Sequence, residues 1–527
     1  MDAAGHDSTI SEVLRSAARA YGNVEAVVDG DRRLTYSQLG AEVDRGAGAL
    51  MALGVSPGDR VTIWAPNSLE WIVAAYSIYR AGAVLVPLNT RFKGEEAAYI
   101  VRKAGVTLVL SAGTFLGTDY LGMLDAAMGL DEIPQRVLLS GDAPGVATWS
   151  EALARGEAVS AAALAERERS VRPEDLSDII FTSGTTGTPK GAMLSHGAST
   201  RTYGAWTSSV GLRQGDRYLC IYPFFHTAGL KSAALACALV GATLLPQAVF
   251  DVPTVMAAVA AERVTVLPGP PSVFQAILSH PDLSQFDLTS LRLSVTGAAV
   301  VPVQVVEQMR SALRFERVVT GYGLTETTGT VTMCSHDDAP EVIATTVGRP
   351  LPGVELRIVD DTGADAATGT PGEVVVRGFN VMQGYYADPE ATEAAIDRDG
   401  WFATGDIGVL DANGYLRITD RKKDMFIVGG FNAYPAEIEK IMLDHPGVAQ
   451  VAVIGAPDER LGEVGMAFVI PRRGLAVDPE EIIRWCRDRM ANYKVPRQVV
   501  ITSELPLTPS GKVVKFRLRE MARSLAE

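Results

Sequence analysis

Apolar residues recur at three- and four-residue intervals over residues 10–21 and 36–53, which predicts two amphipathic helices. The short strand-like runs at 60–64, 83–87 and 107–111 predict strands. This alternation, kept up from 8 to 170, is the pattern of an α/β fold. The same rhythm returns over 178–299, with DIIFT, RYLCIY, TLLP, VTVLP and RLSVTG as strand candidates, so two similar α/β halves are expected. An Ala/Glu/Arg-rich stretch at 151–169 is expected to form a surface helix. Between 347 and 418 the pattern changes to short β-type runs with turn punctuation (ELRIVDDTG, GEVVVRG, YLRITD), which predicts a β-rich subdomain.

After Asp420 a charged RKKD junction leads into αβ segments totalling 107 residues, the size of a separate small domain. The expected class is therefore α/β. A large N-terminal domain (1–420) holds two α/β subdomains and the β-rich one, a hinge lies at 421–424, and a small mobile α+β domain occupies 425–527.

Composition narrows the function classes. With 527 residues, 47% hydrophobic and 21% charged, the chain has a globular balance. Its formal charge is −14, with +3 carried by residues 421–527 and −17 by the rest, which argues against a nucleic-acid partner. The most apolar stretch, 232–245, has 14 residues, short of the ~20 that span a membrane. The N-terminus shows no secretory pattern, and Cys220, Cys237, Cys334 and Cys486 form no CxxC pair, so a cytoplasmic protein without a zinc site is expected. Only ten lysines accompany 38 arginines, which gives each lysine in a motif unusual weight.

The most informative segment is FTSGTTGTPKG at 181–191. Gly184 and Gly187 permit backbone angles that turn successive N–H groups inward, Ser183, Thr185 and Thr186 add hydroxyls, and Lys190 adds charge, a combination suited to wrapping phosphate. Its glycine spacing is not that of a Walker A loop, and it joins two strand-like runs. In GYGLTE, Tyr322 offers a flat face, Thr325 a hydroxyl and Glu326 a lone carboxylate of the kind Mg²⁺ accepts beside substrate phosphates. WFATGDIG sets Asp406 after a glycine turn, where a carboxylate can hold a diol. PLTPSGK sets Lys512 on a tail able to reach an interdomain cleft.

Taken in order, FTSGTTGTPKG, PFFHTAG, TGAAVVP, GYGLTE, GEVVVRGFNVMQGYY, WFATGDIG, ITDRKKDMFIVGGFNAYPAEIE and PLTPSGK resemble the adenylate-forming enzymes over nearly the whole chain. That family comprises acyl-CoA synthetases, luciferases and peptide-synthetase adenylation domains. The resemblance implies two steps, carboxylate plus ATP giving acyl-AMP and pyrophosphate, then attack by the thiol of CoA. It also implies site roles. Residues 182–190, from Thr182 to Lys190, would hold the β and γ phosphates, and Thr182 with Glu326 would contact Mg²⁺. Gly297, Ala298 and Ala299 would flank adenine together with Gly321, Tyr322 and Gly323, while Asp406 and Arg421 would hold the ribose. Lys512 would bridge the α-phosphate and the substrate carboxylate, Lys423 would be the hinge, and Gly429 and Gly430 would line the CoA tunnel.

His226, Thr227, Leu230 and Gly323 are the implied acyl-pocket residues, with His226 moving between the two steps. Leu230 stands where long-chain relatives carry a Trp gate, and no Asp near PFFHTAG suits an amino-acid substrate. Lys231 is expected to snorkel to the surface or, less favoured, to pair with a polar group of the substrate or CoA. FFHTAGLKSAALAC, VLPGPPSVFQ and VTGAAVVP resemble actinobacterial ligases for ring-bearing propanoates of steroid breakdown, so a medium-chain fatty acid or such a propanoate is the expected acid.

An acyl-AMP ligase serving a carrier protein would carry an insertion before the hinge, where 348–372 has ordinary length. A luciferase-like oxygenase is disfavoured by the absence of a peroxisomal tripeptide at 525–527. An inactive scaffold homologue would be expected to lose Lys512 or Glu326. A homodimer is left open as the assembly.

Overall fold

The computed structural model describes residues 8–129, 132, 134–182, 189–297, 302–360, 362–421, 424–428, 431–458, 461–487, 489–490, 492–507 and 512–526. The two helices expected near the start form at Ile10–Ala20 and Tyr36–Ala52, each opened by a threonine (Thr9, Thr35) in a reciprocal capping box with Glu12 or Gln38. Their apolar faces join a core that runs from Ile10 to Leu416.

The largest sheet has seven strands, in the order Lys190–Ser195, Leu176–Thr182, Val84–Pro87, Arg60–Trp64, Val106–Ala112, Gln135–Ser140 and Ala147–Thr148. A second has the order Arg217–Cys220, Thr243–Pro246, Glu25–Asp29, Arg32–Thr35. Strands Leu293–Thr296 and Arg317–Tyr322 reach it through single bridges at Val266. The two α/β units are thus not successive halves of the chain. An early strand, Glu25–Asp29, pairs in parallel with Thr243–Pro246, and a later one, Leu176–Thr182, pairs in parallel with Val84–Pro87. Hydrophobic runs report burial but not partners, so this exchange is invisible to periodicity.

Two local expectations are corrected. VTVLP makes only isolated bridges at Val266, not a strand. The 151–169 stretch is two helices, Trp149–Gly156 and Ala161–Ser170, separated by the N-cap Ser160. Over 151–169 both helices lie at the surface as expected, apart from Ala152, Gly156, Leu164 and Glu168, the last held by Ser11 at 2.8 Å, Arg15 at 2.5 Å and Arg80 at 2.7 Å.

The β-rich segment is a four-stranded antiparallel meander, Val354–Val359, Gly372–Gly378, Phe402–Leu410 and Leu416–Arg421. From Phe426 onward the chain builds its own sheet. Val448–Asp458 pairs with Gly462–Pro471, which also takes Phe426–Val428 and, in parallel, Gln498–Ile501. Two apolar clusters of this segment, around Val453 and around Phe468, draw only on residues from 426 on. Among the described residues no helix is long and apolar enough to cross a membrane.

Candidate functional site

The phosphate-type loop closes an antiparallel hairpin, with Thr182 directly opposite Lys190. Ser183, Gly184, Thr185, Thr186 and Gly187 lie outside the described residues, as do Ala298, Ala299, Lys423, Gly429 and Gly430. At the mouth of the hairpin the Thr182 hydroxyl donates to Oε1 of Glu326 at 3.3 Å. Glu326 sits in a single 3₁₀ turn, Thr325–Thr327, directly after the strand Arg317–Tyr322, and its carbonyl accepts from the Met382 N–H at 2.8 Å.

The Glu326 carboxylate has a second hydroxyl partner. Tyr385 donates its hydroxyl to the same Oε1 at 3.1 Å, and Lys190 Nζ lies 5.3 Å from its ring centroid. Burial and the adjacent Glu326 carboxylate push the Tyr385 phenol up. The signal was present in the quoted GYY motif, but nothing in its spacing pointed to Glu326.

Gly297 and the GYG segment lie close to each other. A Cβ at Gly297 would stand 3.4 Å from the Gly321 carbonyl, and one at Gly323 would stand 2.3 Å from the Gly329 carbonyl, so Gly323 is required by close backbone approach. Asp406 is buried. Its Oδ2 accepts from the Tyr322 hydroxyl at 2.5 Å, and its backbone lies opposite Arg421 in the meander.

His226, Thr227 and Leu230 follow a short strand, Arg217–Cys220, and a loop pinned by Asn67, whose side chain bonds the Phe224 N–H and the Tyr222 carbonyl, each at 2.8 Å. His226 caps the turn Thr227–Gly229, and Leu230 opens a π-helix, Leu230–Leu235. Burial lowers the His226 imidazole to about 4, and the Lys512 ammonium acts in the same direction. The hydroxyls of Tyr203 and Thr227 converge on Gly329, where a Cβ would meet them at 2.4 and 2.9 Å; Gly329 has φ +91°. Tyr203, Thr227 and Thr330 are buried here, and hydrogen bonding to both threonines partly offsets the rise that burial imposes on the Tyr203 phenol.

Lys231 corrects both expectations made for it. It is 1% exposed, and its Nζ lies 2.5 Å from Oδ2 of Asp178 and 3.3 Å from the Tyr79 hydroxyl. It neither snorkels nor waits for a substrate, because an unpaired ammonium in an apolar interior would be far more costly than one paired with a carboxylate.

A family described as AMP-binding enzyme matches residues 14–386, and its AMP-binding enzyme C-terminal domain matches 437–512. A 3-(7a-methyl-1,5-dioxo-octahydro-1H-inden-4-yl)propanoyl:CoA ligase of Rhodococcus jostii (strain RHA1) is 48% identical over 97% of this chain and 98% of the relative. A ligase of the same name from Mycobacterium tuberculosis (strain ATCC 25618 / H37Rv) is 48% identical over 97% and 99%. Among solved structures, an anthranilate CoA ligase, AuaEII, in complex with anthranoyl-AMP superimposes with a TM-score of 0.88, at 27% identity over 99% of this chain and 98% of that one.

Proposed function

We propose, for a chain that belongs to the AMP-binding enzyme family, an assignment of its residues to the two steps of ATP-dependent acyl-CoA synthesis. The activity is that of an acid–thiol ligase. In the first step a carboxylate oxygen attacks the α-phosphorus of ATP, a new O–P bond forms, the bridging bond to the β-phosphate breaks, and pyrophosphate leaves. In the second the sulfur of CoA attacks the acyl carbonyl carbon, the C–S bond forms, AMP leaves with the former carboxylate oxygen, and the thiol proton goes to solvent.

The chemistry demands alignment of two anions more than covalent assistance. Lys512 supplies the charge that bridges the carboxylate and the α-phosphate; its place in PLTPSGK, at the end of the matched AMP-binding enzyme C-terminal domain, supports this. His226, held neutral above about pH 4, puts no second cation beside that carboxylate. Residues 182–190 take the β and γ phosphates, Gly297–Ala299 and Gly321–Gly323 enclose adenine, and Asp406 with Arg421 takes the ribose. Thr182 and Glu326, one hydroxyl and one carboxylate facing each other at 3.3 Å, fit Mg²⁺, which keeps waters and substrate phosphates as its remaining ligands. Bound there, the ion would neutralise charge on the departing pyrophosphate. In the second step the segment after Asp420 turns about Lys423, withdraws Lys512 and brings Gly429 and Gly430 to line the pantetheine path.

The acid we propose is a ring-bearing propanoate of the kind named for the two 48%-identical ligases. The buried, mutually hydrogen-bonded hydroxyls of Tyr203, Thr227 and Thr330 beside the His226 turn support it, since a dione can accept a hydrogen bond from such a group and an alkyl chain cannot. A cytoplasmic location belongs to the same reading, supported by four free, buried cysteines. The test is a competition assay in which the bicyclic dione propanoate, a ring-bearing acid without ketones, and octanoate share limiting enzyme, with CoA thioesters read by mass. The dione thioester should dominate by at least about tenfold; octanoyl-CoA in excess would overturn the choice of acid.

A further inference from the structure

The first sheet contains a cluster of charge that none of the steps above uses. Asp178, fully buried, accepts from Lys231 on Oδ2 at 2.5 Å, from Ser177 on the same oxygen at 2.5 Å, and from Tyr79 on Oδ1 at 2.6 Å. Lys231 also donates to the Tyr79 hydroxyl at 3.3 Å, which closes a ring of three side chains. The Tyr79 and His196 rings meet in a T-shaped contact with centroids 5.7 Å apart, and His196 Nδ1 accepts from the Ile10 N–H at 3.3 Å.

The placement of these groups gives them more than a packing role. Asp178 stands on the strand Leu176–Thr182, four residues before Thr182 at the phosphate site. Lys231 stands on the π-helix Leu230–Leu235, five residues after His226 at the acyl site. His196 begins the helix His196–Val210, which carries Tyr203. A buried ion pair is a poor source of stability but a strict one of geometry, because sliding either element by a residue would leave a charge without its partner. A π-turn inside a helix is itself a costly departure that recurs at functional sites.

We propose that the Lys231–Asp178 pair is a positioning device that fixes the acyl-pocket helix against the strand leading to the phosphate loop, and so sets the line between substrate carboxylate and α-phosphorus. It rests on the functional reading above. Lys231 and Asp178 touch neither reactant; they act through Thr227 and Thr182. Misplacement by about an ångström can cost as much as a hundredfold in rate, so the pair's effect belongs in the adenylation rate and not in either binding constant.

The experiment uses the full-length enzyme with two variants, Lys231→Met/Asp178→Asn, which removes both charges at similar volume, and Tyr79→Phe, which removes one hydroxyl and conserves the fold. Wild-type turnover checks the functional reading independently. The double variant should adenylate at least about tenfold more slowly with KM for ATP and acid within about twofold, and lose far less in thioester formation from supplied acyl-AMP. Tyr79→Phe should lower the adenylation kcat about threefold with the same KM pattern. Hydrogen exchange, which needs no turnover, should quicken in the double variant over Leu230–Leu235 and Leu176–Thr182 and stay unchanged over Val448–Asp458. Wild-type adenylation rates in Tyr79→Phe and in a folded double variant would overturn the proposal, as would unchanged exchange in both segments.

Discussion

The hydroxyl of Thr182 stands 3.3 Å from Oε1 of Glu326, a residue 144 positions further along the chain, and the Tyr385 hydroxyl meets the same oxygen at 3.1 Å. One carboxylate therefore gathers the end of a hairpin, a 3₁₀ turn and the GYY segment at one point. Removing its charge should damage the metal-dependent step most. Glu326→Gln is expected to lower pyrophosphate release about a hundredfold and to raise the Mg²⁺ concentration needed for half-maximal rate. Tyr385→Phe, which removes one bond to a charged acceptor, should cost roughly tenfold. A Mg²⁺ titration of the three proteins measures both effects; an unchanged requirement in Glu326→Gln would remove the carboxylate from the metal site.

Lys512 and Gly430 should separate the half-reactions. Lys512→Ala is expected to slow adenylation about a hundredfold or more and spare thioester formation from supplied acyl-AMP, because in the proposed assignment its charge acts only while the mixed anhydride forms. Gly430→Trp should spare adenylation and block the thioester step. Parallel loss of both steps in each variant would contradict a rotation of the C-terminal segment between them.

Two histidines set an acid limit on stability. Burial lowers His226 and His196 to about 4 from the usual 6.5, with Lys512 adding to the first and Lys231 to the second. A depressed folded-state value means the unfolded chain takes up the proton first as pH falls. The stability each histidine confers is complete above pH 6.5, declines between 6.5 and about 4, and is gone below. Each contributes on the order of 3 kcal/mol across that window. Urea melts at pH 7, 5.5 and 4.5 should show this decline, and His196→Gln, provided it folds at pH 7, should flatten part of it; a pH-independent midpoint would show that the two rings titrate normally.

Gly329 should govern the acyl pocket. At φ +91° an alanine is strained on the order of 2 kcal/mol, and its Cβ would displace the Tyr203 hydroxyl. Gly329→Ala is expected to raise KM for a bicyclic acid more than for acetate, with KM for ATP unaffected. Equal changes for both acids would move the pocket elsewhere.

Much of this site was legible in the sequence, and the reason is local. FTSGTTGTPKG concentrates glycines, hydroxyls and a lysine between two strand-like runs, and Thr182 and Lys190 do close a hairpin. The meander strand Gly372–Gly378 was likewise readable from GEVVVRG alone. What escaped was pairing over distance. Lys231 looked like a misplaced surface charge because its partner, Asp178, lies 53 residues upstream in a segment that reads only as a strand. The exchange of strands between the two α/β units failed for the same reason, since an apolar run such as AVVD states that it is buried but not beside what. Tyr385 was in view within its motif, yet only the folded chain brings its hydroxyl to Glu326.

The central claim, acyl transfer to CoA through a bound adenylate, is tested most directly by the time course of pyrophosphate release from Mg-ATP and the bicyclic dione propanoate, with enzyme at micromolar concentration, with and without CoA. Without CoA the account predicts a burst of about one equivalent per enzyme, and with CoA sustained turnover matched by AMP and thioester in equal amounts. A single burst that CoA leaves unchanged would contradict it and point to a carrier protein or another acceptor.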